Sequence, residues 1–298
     1  MEYRARRLHL NAATHTGRVR PLNQDAYALL HACHTAVLAD GLGGGPAGEV
    51  AAAMAVQVIE AALPTLLGAV DKGAVSPQEH EQELLQREQA LRSAVGRANA
   101  AIHQHGHTKP NCAGMGTTLV LAHWFGSHLL VGHVGDSRAY RLRSVHWPVG
   151  GHLHHRYLLQ ALTRDHSASQ EETDARWRAE EPLGTTSRSH APPPKLTRAL
   201  GVEPDVVLEL HRHRLDPDDV VLLCSDGLTD LIEDDKIQAL FQDATGMVPA
   251  TPQGLDGANQ ALLKAALDAG GTDNITVLLG LQAPFHRPSA PPSPPGAR

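Results

Sequence analysis

Ala36-Val37-Leu38-Ala39-Asp40-Gly41-Leu42-Gly43-Gly44-Gly45 sets an unbroken apolar run directly against a carboxylate and a glycine-rich turn. A short apolar run without polar alternation, bounded by a turn signal, reads as a buried strand. Glycine after the acid lets the backbone approach a ligand closely and leaves the Gly41 carbonyl free to face inward. Asp-Gly is also a common turn dipeptide, so this segment alone is compatible with a plain strand end. The design recurs at Val220-Val221-Leu222-Leu223-Cys224-Ser225-Asp226-Gly227-Leu228. In Gly271-Thr272-Asp273-Asn274-Ile275-Thr276-Val277 the acid stands instead at the start of a strand. If that last strand runs antiparallel to the other two, Asp40, Asp226 and Asp273 meet at one end of a sheet. Three such acids repel one another unless a cation neutralises them. Oxygen ligands without Cys or His point to Mg²⁺ or Mn²⁺ rather than zinc.

Working outward, further strands are expected at Thr117–Trp124, Leu129–Val134, Ala139–Leu142, Tyr157–Thr163 and Val206–Leu210. Long helices are expected at Pro46–Leu67 and Pro77–His103, the second with Leu84, Leu85, Leu91, Val95 and Ile102 on helical spacing. Later helices are expected at Asp234–Phe241 and Gln253–Ala269. Strands joined by short turns imply antiparallel pairing, and grouped helices imply an α+β layering rather than alternating βαβ units. The polar segment Ser167–Pro194 reads as a surface flap, with a short helix around Gln170–Ala179. Residues 283–298, APFHRPSAPPSPPGAR, read as a Pro-rich disordered tail.

The 298 residues are 42% hydrophobic and 19% charged, ample for a large core. A formal charge of −6, from 26 Lys+Arg against 32 Asp+Glu, argues against a nucleic-acid binder, which needs a clustered basic face. Three cysteines, Cys33, Cys112 and Cys224, lack CxxC spacing and read as reduced thiols. The N-terminus has no apolar signal region, and no apolar stretch was expected to span a bilayer. A cytoplasmic monomer is the expectation. Twenty histidines include His103-x-His105-x-His107 and His152-x-His154-His155, but neither has zinc-site spacing. The Gly41–Gly45 run lacks a Walker lysine, and Ser225 does not sit in a nucleophile elbow.

Two further segments carry chemistry. Thr16-Gly17-Arg18-Val19-Arg20-Pro21-Leu22-Asn23-Gln24-Asp25 offers a guanidinium, the natural bidentate partner of a phosphate. Gly135-Asp136-Ser137-Arg138 is another strand-turn acid. In this order and spacing the segments resemble the PPM/PP2C family of Mg²⁺/Mn²⁺-dependent protein Ser/Thr phosphatases, bacterial single-domain members in particular. The likeness adds Leu162–His166, Leu196–Gly201 and Ser225–Leu228 and runs over about residues 8–281.

That resemblance implies a four-layer αββα sandwich of two mainly antiparallel sheets, with residues 1–282 as the phosphatase domain and 167–194 as its flap. It implies two cations and the option of a third. Asp40 would bridge the first two, Gly41 would lend its carbonyl, Asp226 and Asp273 would complete one shell, and Asp136 would serve the third ion. Arg20 would grip the phosphate of a phosphorylated protein, and Gln24, Asp25 and Asn274 would stand just behind the ligands. The reaction implied is hydrolysis of phosphoserine and phosphothreonine by a metal-activated water, reversing a Ser/Thr kinase, with no nucleic-acid or membrane partner. Gln24 replaces a glutamate common in the family, which would weaken one ion's hold. Leu42 stands where animal members place a histidine proposed to protonate the leaving group. The alternative is a catalytically weak module of the same fold that binds phosphoproteins.

Overall fold

The computed structural model describes residues 6–42, 47–68, 76–149, 152–178, 196–246 and 250–284. Ten strands form two five-stranded sheets, ordered β1-β10-β9-β6-β7 and β2-β3-β4-β5-β8. The first sheet is built from β1 (Arg6–His15), β6 (Arg138–Val149), β7 (His152–Ala161), β9 (Val220–Cys224) and β10 (Ile275–Pro284). The second is built from β2 (Asp25–Leu30), β3 (Thr35–Asp40), β4 (Leu119–Phe125), β5 (His128–Val134) and β8 (Glu209–Arg214). Every pairing is antiparallel.

Side-chain alternation along the strands feeds three separate cores. Ala36 and Leu38 of β3, Val120, Ala122 and Trp124 of β4, and Val221 and Leu223 of β9 fill the space between the sheets. Val37 and Ala39 point the other way, beneath α1 (Gly48–Leu67) and α2 (Pro77–Thr108). Val220, Leu222 and Cys224, with Val277 and Leu279 of β10, face α5 (Asp234–Thr245) and α6 (Pro252–Asp268). Strands buried on both faces have no reason to alternate with polar residues, which explains the continuous apolar runs. The layers are therefore helix, sheet, sheet, helix, as the resemblance implied.

The helices begin where local chemistry permits. At α2, Ser76 Oγ accepts from Glu79 N–H, Glu79 reaches back to Ser76 N–H at 2.8 Å, and Pro77 opens the first turn. Helix α1 is long and apolar enough to cross a membrane by length and composition, contrary to the sequence expectation. Its Ala51, Ala55, Ile59 and Leu63 are nevertheless wholly buried in the core beside α2, the register of a core helix.

The edge strands depart from expectation. β1 and β2 were not foreseen; β1 mixes polar with apolar residues, β2 has only the short run Ala26–Leu30 behind its aspartate, and each sits at a sheet edge. β8 runs over Glu209–Arg214 rather than Val206–Leu210, because its sequence ELHRHR presents only part of one face inward and Val207 is exposed. β6 and β7 extend as a hairpin well past their apolar cores, pairing Tyr140 with Ala161 and Val149 with His152. The expected helix near 170 is α3 (Ala168–Arg178). Residues 179–194, the Gly43–Gly45 run and the tail from 285 lie outside the described residues.

At Gly280 in β10, any Cβ would collide with the indole of Trp124. Gly280→Ala should therefore lower the unfolding free energy by about 1–3 kcal/mol, measured by urea denaturation, as overpacking does. An unchanged midpoint would mean that the inter-sheet layer is looser than the structure shows.

Candidate metal centre

Five places in the chain bring carboxylates to one end of the sandwich. Asp25 opens β2 and Asp40 closes β3, and the antiparallel register sets them directly opposite each other. Asp226 follows β9 and begins the short helix α4 (Asp226–Thr229). Asp273 precedes β10, which runs antiparallel to β9, so Asp226 and Asp273 share one end of one sheet, whereas Asp40 joins them from β3 of the other sheet and not from the single sheet the sequence suggested. Asp136 sits in the turn between β5 and β6, 9% exposed.

Hydrogen bonds lock these segments to one another. Asn274 accepts from Gln24 N–H at 2.7 Å and donates to the Thr16 and Leu22 carbonyls at 2.8 and 2.9 Å. It thereby clasps the loop that carries Arg20. Ser225 Oγ and Thr276 Oγ1 both donate to Asp25 Oδ2, at 2.9 and 2.6 Å, joining one sheet to the other. Thr118 donates its backbone N–H to the Asp40 carbonyl at 2.8 Å, while its hydroxyl accepts from Asp40 N–H and meets Ser137 Oγ at 2.7 Å. Gly227 packs so closely on the Asn274 carbonyl that no side chain would fit there. Gly41 is buried, and its N–H donates to the Gln24 carbonyl at 3.1 Å.

The electrostatics are those of a site built for cations. Desolvation raises Asp40 well above the ordinary carboxylate range, reinforced by the charges of Asp25, Asp226 and Asp136. Asp226 is raised likewise by desolvation, then by Asp136, Asp230, Asp273 and Asp25. Burial pushes Asp25 up to about 6 against the hydrogen bonds from Thr276 and Ser225. Asp136 also rises to about 6, from burial and then the neighbouring Asp165. Asp25 Oδ1 is buried with no protein partner. Arg20 Nη2 reaches Asp273 Oδ2 at 2.7 Å, a part-exposed pair at the rim. An oxygen-only cluster with an orphaned buried carboxylate oxygen fits hard divalent cations.

The predicted residues Arg20, Asp40, Asp226, Asp273, Asp136, Gly41, Asn274 and Gln24 thus gather in one region. Asp25 was expected behind the ligands but lies among the carboxylates themselves. Gln24 turns its amide to Glu49 of α1, with Nε2 donating to Oε2 at 3.0 Å. Asp230 was missed, although Asp226 and Asp230 stand four apart in S-D-G-L-T-D and so share a helical face. The clamps Thr118 and Thr276 were missed because lone threonines in strands carry no signal.

Fold and site together define a metal-dependent phosphatase architecture, and a family model described as protein phosphatase 2C matches residues 14–268. The chain belongs to the protein phosphatase 2C family. It is 29% identical to the serine/threonine phosphatase stp of Listeria monocytogenes over 275 residues, covering 91% of this chain and 95% of that one. It is 33% identical to the serine/threonine protein phosphatase PstP of Mycobacterium tuberculosis over 276 residues, 91% of this chain and 44% of that protein. The solved catalytic domain of PstP, in complex with two manganese ions, superposes with a TM-score of 0.67 at 30% identity, covering 93% and 98% of the two chains.

A pH dependence follows for the metal-free protein. A carboxyl whose folded pKa is raised holds more protons folded than unfolded, so stability falls as pH climbs through the folded value. With Asp25 and Asp136 near 6 against 3.8 unfolded, the metal-free protein should lose about 2 kcal/mol between pH 5 and 7.5. Asp136→Asn should flatten part of that slope in pH-resolved urea unfolding, and saturating Mn²⁺ should remove most of it. A slope of opposite sign would refute the assignment.

Proposed function

We propose that this chain hydrolyses phosphoserine and phosphothreonine in proteins with two divalent cations held by Asp40, Asp226 and Asp273. The supporting observation is the convergence of these carboxylates with Asp25 and Asp136 on an oxygen-only centre at whose rim Arg20 stands. The cations, when bound, activate water for in-line attack on phosphorus and neutralise the phosphoryl oxygens.

The chain's own groups then divide the labour. Asp40, flanked by Asp25 and Asp226, suits the place shared by both ions, with Gly41 beside it. Asp226 and Asp273 would hold one ion; on the other side Gln24 is neutral and engaged with Glu49, so that ion would be held less firmly. Asp136, with Asp226 and Asp230 near it, suits a third. The hydrogen bond and charge of Asp273 raise the Arg20 pKa further, keeping the guanidinium charged for the substrate phosphate. Asn274 keeps that arginine's loop in place. The ions in this reading are Mn²⁺ or Mg²⁺, a Ser/Thr kinase acts on the same substrates, and the setting is cytoplasmic. The rival reading, a module that binds phosphoproteins without turnover, loses support because Arg20, Asp40, Asp226 and Asp273 are all present and the relatives are phosphatases.

With Mn²⁺ the purified protein should hydrolyse p-nitrophenyl phosphate and a phosphothreonine peptide, and EDTA should stop both. Asp40→Ala should lower kcat by about three orders of magnitude, since both ions depend on it. Arg20→Ala should instead cost about tenfold in kcat/KM on the peptide, one charge-assisted contact. Wild-type turnover no faster than that of Asp40→Ala would sink the enzyme reading.

A further inference from the structure

Beside the carboxylates, but outside them, lies a polar cluster that the reaction does not explain and of which the motifs take in only His166, at the end of Leu162–His166. His133 of β5 is wholly buried and its ring stacks on His166 with centroids 4.5 Å apart and an 18° tilt. His166 Nε2 meets Glu209 Oε2 of β8 at 3.0 Å, and His211 Nε2 meets Glu209 Oε1 at 2.9 Å. One ligand atom from each of His133, His166 and Glu209 lies within 4.8 Å of the others, a spacing that suits a metal ion.

The hydrogen bonds decide against that use. A carbonyl only accepts, so His133 donates from Nε2 to Arg164 O at 2.7 Å. Gly135 N–H donates to His166 Nδ1 at 3.1 Å. His166 Nδ1 is therefore unprotonated, Nε2 carries the proton, and that proton points at Glu209. A nitrogen that carries its proton has no lone pair for a metal, so although His133 keeps an unpartnered lone pair on Nδ1, His166 offers none on the side that faces Glu209. Glu209 is well suited to accept: partial burial opposes its ionisation, but the bonds from His211 and His166 outweigh this and hold it down at about 2.

What His166 grips is the turn that presents Asp136. Its backbone N–H donates to the Gly135 carbonyl at 2.9 Å while its ring takes the Gly135 N–H, so both polar groups of that glycine are held by one residue. Gly135 has a φ of +106°, and a Cβ there would lie 2.7 Å from Thr118 Cγ2. The turn is thus confined to a conformation that only glycine adopts readily. On its other side His166 accepts from Thr197 N–H at 2.9 Å, and Ser167 bridges to Leu196. Both ends of the long insertion thereby meet at this one residue.

We propose that His166 is a positioning residue that fixes the Gly135–Asp136 turn relative to the base of the insertion, and that Glu209 sets the tautomer His166 needs. Without an acceptor at Nε2 the ring is free to move its proton to Nδ1, where it would face the Gly135 N–H and break the bond. Only the activity arm of the test below rests on the phosphatase reading.

The primary measurement is hydrogen exchange at the Gly135 amide in the metal-free protein, together with ¹⁵N-histidine NMR of the His166 tautomer. Wild type should show the Nε2–H tautomer. His166→Phe keeps a ring to stack on His133 but loses the ring's bonds to Gly135 N–H and to Glu209, and should speed Gly135 exchange by about tenfold, one ordinary hydrogen bond. His166→Asn places Oδ1 where Nδ1 was and should restore protection to within about twofold of wild type. Glu209→Leu should admit the Nδ1–H tautomer and loosen Gly135, whereas Glu209→Gln, which still offers an oxygen, should not. On p-nitrophenyl phosphate with Mn²⁺, kcat should fall about tenfold in His166→Phe and recover in His166→Asn, in proportion to Gly135 protection. Equal exchange at Gly135 in wild type and His166→Phe overturns the proposal, whatever the melting temperatures. So does a Zn²⁺ titration of metal-free protein that shows an ion bound by wild type and lost in Glu209→Gln. Correct exchange behaviour without any turnover would instead refute the phosphatase reading alone.

Discussion

Carboxylates brought together out of bulk water resist one another, and this repulsion governs the architecture of the whole end of the molecule. Desolvation and mutual charge raise Asp25, Asp40, Asp136 and Asp226 together, so none of them stabilises the protein in the metal-free state. The surroundings therefore have to hold the acids in place against their own field. Ser225, Thr276, Thr118 and Asn274 do so through short neutral hydrogen bonds rather than by burying compensating cations. Arg20 meets only the outermost acid, Asp273, where solvent already screens the pair. Cation affinity is thereby preserved in the centre, while the positive side chain stays at the rim where a phosphate would arrive.

The sheets supply the rigidity that this arrangement demands. Asp25 and Asp40 come from one sheet, Asp226 and Asp273 from strand ends of the other, and Asp136 from the turn that passes from one to the other. The bonds from Ser225 and Thr276 to Asp25 cross the seam between them. Burial on both faces of β3, β4, β9 and β10 leaves those strands little freedom to slide, because a slip of one residue would exchange two different cores. The histidine cluster follows the same logic at a distance, with β5 and β8 holding a ring that holds a turn.

Much of this was legible in the sequence where burial is total. Val220–Cys224 matches β9 to the residue, and α5 and α6 begin within a residue of expectation. Legibility failed where a strand is buried on one side only. In β1 and β8 the polar face carries His, Arg and Asn, which interrupts every apolar run. The three principal aspartates were readable because each stands where an apolar run stops or starts beside a glycine or an asparagine. Asp230 was not singled out, and the setting of Asp25 opposite Asp40 was not readable, since both depend on strand register and helix phase rather than on neighbours in sequence. Glu209 was still less visible: its partners lie 43 residues upstream at His166 and two residues on at His211.

The layer between the sheets has one more consequence. Because the acids are divided between two sheets, the gap separating them is the thickness of a single stratum of side chains, among them Leu38, Val120, Trp124 and Leu223. That stratum acts as a shim. Trp124 stands six residues along from Thr118, roughly 20 Å up the strand, yet a bulkier or thinner neighbour for its indole would open or close the jaws at the far end. The spacing of the acids is thus set in part by residues that touch none of them, a matter of gauge rather than of ligands.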